Sequence, residues 1–156
     1  MLDKPPKNAG YLFRNLSCEG CLLEYKGAGF SQPDGSGRNN VLLVGEALGK
    51  TESYTGKPFV GAAGYQLNRT LKRTQLNRDD FKIWNIIACR PPNNRLVGTP
   101  WHDGAIDQCR QYLERVILDM KPKVIVPMGG VALKSILGIS GIMDRRAPKR
   151  GYVYDL

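Results

Sequence analysis

Three short apolar runs rich in β-branched residues constrain this chain more than any other feature: VLLVGE at 41–46, FKIWNIIAC at 81–89 and KVIVPMG at 123–129. Each has the length of a strand, and VLLVGE has the pattern of a strand buried on both faces. Helical spacing fills the intervals. In GAAGYQLNRTLKRTQL (61–76), Ala63, Leu67 and Leu71 fall four apart, which makes one face of a helix apolar. Thr99-Pro100 offers an N-cap and a first-turn proline for a second helix running to about Met120. Gly129-Gly130 opens a short third helix, VALKSILG, and the tail KRGYVYDL (149–156) reads as one more strand. Strands alternating with helices predict an α/β fold, a three-layer sandwich with a central four-stranded parallel sheet. A short helix is expected around LSCEGCLLEY (16–25). Residues 26–40 and RPPNNRLVG (90–98), dense in Gly, Pro, Ser, Asn and Asp, are expected as loops. No repeat or low-complexity linker divides the 156 residues, which read as a single domain over 1–156.

In open parallel sheets, sites form at the carboxyl ends of the strands. Here those ends are Gly45-Glu46, the stretch from Asn85 to Cys89, and Gly129. The first resembles a phosphate loop, because VLLVG leads into Gly49-Lys50-Thr51. A phosphate loop needs G-x-x-x-x-G-K-[ST], so that the intervening amides can curl around the phosphates. Counting back from Gly49 puts the first glycine at Val44; Gly45 leaves the ring one residue short. Glu46 would also repel a phosphate, and no later strand ends in an aspartate that could hold magnesium. A nucleotide site is therefore discarded.

Lys and Arg total 23 against 14 acidic residues, a net charge of +9 that suits a polyanionic partner, although a merely basic surface has the same composition. No apolar run approaches the ~20 residues of a membrane span. The N-terminus, MLDKPPKNAG, has no hydrophobic signal core, so an intracellular protein of the cytoplasm or nucleoid, without a membrane partner, is expected.

Four cysteines in such a chain read as thiols rather than disulfides. Cys18 and Cys21 form one CxxC, and Cys89 and Cys109 stand far apart. Four thiolates complete a tetrahedral zinc site or a cubane iron–sulfur cluster. The split second pair favours a cluster that ties separate elements together. Zinc, or four unrelated buried thiols, are the alternatives.

GEALGKTESYTGKPFVGAAG (45–64), WNIIACRPPNNR (84–95), KPKVIVPMGGVAL (121–133) and Arg150-Gly151 together resemble the family-four uracil-DNA glycosylases, the iron–sulfur members of their superfamily. The resemblance runs in collinear order from Cys18 to about Gly151. It implies a 4Fe–4S cluster on Cys18, Cys21, Cys89 and Cys109, and a DNA substrate, single- or double-stranded, whose uracil is flipped into a pocket. Phe59 would stack on the flipped base; without the motif it would read as a core aromatic. Asn85, otherwise a capped turn residue, would read the base edge, because its amide can both donate and accept. Glu46 would orient the attacking water, stabilise positive charge on the sugar, or shape the pocket against thymine. The backbone amides of Gly45 and Ala47 would donate to the pocket. Arg90, Asn94 and Arg95, with the basic stretch DRRAPKRG (144–151), would face phosphates, though any one of these arginines also fits a solvated surface.

The chain departs from the family pattern in three places. Leu48 stands where the loop usually has proline, and Ser53 where an acidic residue is usual. The family's last motif, His-Pro-Ser or His-Pro-Ala, does not occur; the one histidine, His102, sits in TPWHDG and does not match it. The chain is accordingly expected to lack that motif and its helix, as a piece of a longer protein or a shortened homologue. The expected function is uracil excision from DNA by a monomer acting in base excision repair. The alternative is a catalytically silent DNA-binding module of the same fold, such as a polymerase-associated domain with a replication or repair partner.

Overall fold

The computed structural model of the chain describes residues 18–138. Three parallel strands form the sheet: β1 (Val41–Gly45), β2 (Lys82–Asn85) and β3 (Val124–Pro127), in the order β2-β1-β3. Four helices accompany them: α1 (Lys50–Thr55), α2 (Ala62–Arg73), α3 (His102–Met120) and α4 (Gly130–Leu137). The strand expected over 149–156 lies outside the described residues, so the sheet seen here has three strands and not the four expected. Among the described residues no helix is long and apolar enough to cross a membrane.

β1 is central, and its alternate side chains build two cores. Leu42 and Val44 face one side, where they pack with Trp84 and with Ala105, Cys109, Tyr112, Leu113 and Val116 of α3. Leu43 faces the other, with Ile83, Phe81 and Leu71 of α2. Right-handed connections require this arrangement. The chain leaves β1 towards β2 on one side and returns past β1 to β3 on the other, so successive helices land on opposite faces. The register pairs Leu43 with Ile83 and Gly45 with Asn85, which brings the carboxyl ends of β1 and β2 level.

Several boundaries differ from the sequence reading, each for a local reason. The buried positions of α2 are Gly64 and Leu71, with Leu67 half-buried, whereas Ala63 faces solvent. α3 starts at His102, after Trp101, because the Thr99 hydroxyl donates back to Leu96 O at 2.6 Å and does not cap the helix. β2 ends at Asn85 although its apolar run continues. Beyond it Ile86 N–H donates to Gly45 O and Ile87 N–H to Glu46 O, which keeps the bent segment against β1. The described part of the expected cysteine helix is a series of turns. Residues 26–40 are irregular as expected, but they also form antiparallel bridges, Asp34 with Ile83 on the outer edge of β2 and Ala28 with Arg90 beyond its end. That cover shields an otherwise open strand edge.

Candidate functional site

Gly45, Phe59 and Asn85 meet at the carboxyl ends of β1 and β2. A Cβ on Gly45 would stand 2.5 Å from Oδ1 of Asn85 and 2.5 Å from Cζ of Phe59. The amide and the ring therefore converge on a point that only a glycine leaves open. Asn85 is 1% exposed, and its Nδ2 is buried with no hydrogen-bond partner. A buried, unpaired amide donor is costly in a folded protein, so this Nδ2 has a use for a partner from water or a ligand. Phe59 is half-buried, with a backbone φ of 54°. Left-handed backbone is unusual for a bulky residue and signals a conformation imposed by its surroundings.

The turn that carries Phe59 is fixed by a side chain that the sequence reading overlooked. Glu52 of α1 is 7% exposed, and its Oε1 accepts from Val60 N at 3.1 Å and from Gly61 N at 2.7 Å. Gly61 is the residue before α2, so the carboxylate also sits at the positive end of that helix. Its other oxygen comes within 2.6 Å of where a Gly49 Cβ would be. A carboxylate thus occupies the space beneath the supposed phosphate loop, while Lys50 and Thr51 point to solvent. Neighbouring Ser53 is buried, its hydroxyl donating to Lys50 O at 2.8 Å. Gly64 closes the packing: a Cβ there would lie 1.8 Å from Phe59 O.

Glu46 and Ala47 follow β1 and are half-buried. Burial raises the Glu46 carboxyl above its ordinary value of 4.5, and positive charge on His102 opposes that rise. His102 opens α3, with Nδ1 3.2 Å from Asp103 Oδ1. The absence of a family motif around His102 gave the sequence no reason to connect it with Glu46.

The four cysteines come together from three stretches of chain, all as free thiols. Cys21 N–H donates to Cys18 O at 3.0 Å, which folds the CxxC into a turn. Paired backbone bonds between Ala28 and Arg90 stitch the segment after that turn to the one holding Cys89. A Cβ on Gly27 would lie 2.8 Å from Cys89 Sγ, so glycine is needed for the approach. Cys18 Sγ lies 3.5 Å from the hydroxyl of Tyr112, which stands one helical turn from Cys109 on α3. Burial pushes the Cys109 thiol up to about 12, opposed by the Ala88 backbone and reinforced by Cys18 and Cys21. Burial and then Cys109, Cys21 and Cys18 push Cys89 up as well. The sulphurs gather without closing on a common centre: among the described residues no group of three or more His, Cys, Asp and Glu stands ready to hold a metal ion. Their donor chemistry, four unpaired thiols in one region, nevertheless fits a thiolate-bound metal group.

The loop after Cys89 is half anchored and half free. Arg90 Nε donates to Asn94 Oδ1 at 2.6 Å, and Arg95 O accepts from the Trp101 indole at 3.2 Å. Asn93 and Asn94 both have left-handed backbone, with φ of 56° and 54°, which asparagine tolerates better than most residues. Asn94 and Arg95 are exposed. The basic stretch at 144–151 lies outside the described residues.

The family model for the "Uracil DNA glycosylase superfamily" matches residues 32–154. The chain is 37% identical over 137 residues to a type-4 uracil-DNA glycosylase of Pyrobaculum aerophilum, covering 88% of this chain and 66% of that protein. It is 37% identical over 142 residues to the type-4 enzyme of Archaeoglobus fulgidus, covering 90% and 69% of the two chains. With the type-4 enzyme of Thermotoga maritima the identity is 37% over 120 residues, or 77% of this chain and 60% of the relative. The chain thus spans between 60% and 69% of the length of these three curated relatives. By the family match over most of its length, and by relatives that are type-4 enzymes, the chain belongs to the uracil DNA glycosylase superfamily.

Proposed function

We propose that the protein excises uracil from DNA by hydrolysing the N-glycosidic bond of deoxyuridine. One observation carries this reading: the amide of Asn85, with a buried and partnerless Nδ2, and the Phe59 ring converge at Gly45. A base swung out of the DNA stack would lie against that ring. Asn85 Nδ2 would donate to uracil O4, while Oδ1 would accept from N3–H. Cytosine presents the reverse pattern at both positions, so the same amide rejects it. The backbone amides of Gly45 and Ala47 would add donors at the strand end.

Glu46 stands beside this pocket. As a carboxylate it would accept a proton from the attacking water and offset positive charge developing on the sugar. Arg90, Asn94 and Arg95 would contact phosphates, holding the strand without reading its sequence. Cys18, Cys21, Cys89 and Cys109 would hold a 4Fe–4S cluster, with zinc as the alternative occupant. The cluster's contribution is structural, since hydrolysis moves no electrons. It would fasten the turn at 18–27 to α3 and so present the Arg90–Arg95 loop to DNA.

The test is uracil release from a uracil-containing oligonucleotide, read as strand cleavage after alkali. Asn85→Ala is expected to reduce single-turnover release at least 100-fold, on the order of 3 kcal/mol in the transition state, with DNA affinity and folding retained. Salt-sensitive DNA binding with no release from the wild-type chain would leave a silent binding module in place of the enzyme.

A further inference from the structure

We propose that Arg78 is a positioning residue that sets the Phe59 ring against the strand end carrying Asn85. Arg78 opens a single 3-10 turn, Arg78–Asp80, whose preceding Asn77 caps it by accepting from Asp79 N at 3.1 Å. From that fixed turn the guanidinium makes a fork. Nη2 donates to Pro58 O at 2.8 Å, and Nη1 donates to Phe59 O at 3.0 Å. These carbonyls belong to the two peptide planes on either side of the Phe59 Cα. The orientation of the first plane defines φ of Phe59, and that of the second defines ψ. One planar side chain bonded to both therefore holds the residue at its φ of 54°.

The other half of the fork ties this clamp to the remaining wall of the pocket. Nη2 also pairs with Asp34 Oδ2 at 2.8 Å, and Nη1 reaches Asn68 Oδ1 of α2 at 3.1 Å. Both members of the ion pair are only 22% exposed. Asp34 is itself locked to β2: its N–H donates to Ile83 O at 3.1 Å, and Ile83 N–H donates back at 2.9 Å. Two residues along the same strand stands Asn85. The path from the stacking ring to the base-reading amide is thus Phe59 backbone, Arg78, Asp34, β2. A lysine could keep the ion pair but could not span both carbonyls.

The inference rests on the uracil-excision reading, and its test has one arm that does not. In the full chain, Arg78→Lys and Arg78→Ala are compared with wild type by NMR. The HN–Hα coupling and Cα shift of Phe59 are expected to leave the left-handed range while the β1 signals persist. Arg78→Lys carries the test if Arg78→Ala does not fold. Single-turnover uracil release at saturating DNA is expected to fall about ten-fold or more for either variant, as a misplaced group warrants. In a Phe59→Ala background the same substitutions should change the rate by less than about two-fold, because their effect passes through Phe59. Unchanged Phe59 signals, or equal losses in both backgrounds, would overturn the assignment. A wild-type chain that releases no uracil would defeat the excision reading, while the Phe59 signals would still decide the role of Arg78.

Discussion

Gly45 is the position at which the smallest change should have the largest effect. Alanine there would place its methyl 2.5 Å from both Asn85 Oδ1 and Phe59 Cζ, and neither partner is free to retreat. Asn85 is fully buried, and Phe59 sits on a backbone held on both sides. Gly45→Ala is expected to cost about 1–3 kcal/mol of stability as overpacking and roughly 100-fold in uracil release through misplacement of the pocket walls. Urea unfolding and single-turnover kinetics measure the two effects separately, and a variant at full activity would remove Gly45 from the site. Glu46 offers a second prediction at this scale. Burial raises its carboxyl, so the fold favours the protonated form. That contribution to stability is present below the ordinary carboxylate pKa and is lost as pH rises through the elevated one. Glu46→Gln should therefore gain stability on the wild type across that window and match it in acid. If the carboxylate is the reactive form, the acid limb of the excision rate should be shifted upward from the ordinary carboxylate value and vanish in Glu46→Gln. Gly45, Phe59 and Asn85 were legible as candidates because each stands in a short stretch of distinctive residues, and the structure brings the three together at one strand end. Glu52 and Arg78 were not: a glutamate and an arginine look like solvated helix and loop charges until the turn they grip is known.

At the scale of elements, the same distinction between local and distant causes separates what the sequence disclosed from what it hid. The three strands were legible as apolar runs of strand length, and Leu42, Val44 and Ile83 are fully buried, but β3 is not covered in the same way: Val124 and Val126 are 50% and 38% exposed. Where β2 stops was not legible, because Ile86 and Ile87 remain in the core after the ladder ends. The stretch around Cys18 and Cys21, expected as a short helix, forms turns. Gly20 is left-handed at φ 80°, which breaks a helix between the two cysteines, and the chain then turns so that Gly27 can admit Cys89 Sγ. Helix α1 went unread because six residues are too few to show a period. Its role is to aim Glu52 at the start of α2. Glu52→Ala would leave the amides of Val60 and Gly61 without their acceptor, at a cost of about 1–3 kcal/mol. The urea midpoint should fall with the slope unchanged. Glu52→Gln, which keeps an acceptor oxygen, should lose less. Equal midpoints for Glu52→Ala and wild type would show that water replaces the carboxylate without loss.

At the scale of the whole molecule, the sheet and the cysteines are two separate means of holding the chain together. The sheet core rests on Leu42, Val44, Trp84 and Ile83, all fully buried and contributed by β1 and β2. The turn from Cys18 to Gly27 has less: Leu23 enters the core, while Leu22 and Tyr25 are exposed at 54% and 83%. Beyond Leu23, the turn meets α3 through the contact of Cys18 Sγ with the Tyr112 hydroxyl and the gathering of thiols, and those thiols, once deprotonated, would repel one another unless a cation lay between them. A cluster on Cys18, Cys21, Cys89 and Cys109 would turn that repulsion into a fastening. The full chain, purified without oxygen, should accordingly be brown, with about four irons. Cys109→Ala should lose both the colour and the iron. Cys109 is one of many residues in the sheet core, which keeps Leu42, Val44, Trp84, Tyr112 and Val116 when it shrinks to alanine, so amide exchange should then rise most across residues 18–27 and least in β1. One zinc per colourless chain would replace the cluster and keep the fastening. Exchange at 18–27 unaltered by loss of the metal would show that Leu23 and the Ala28–Arg90 bonds hold the turn by themselves.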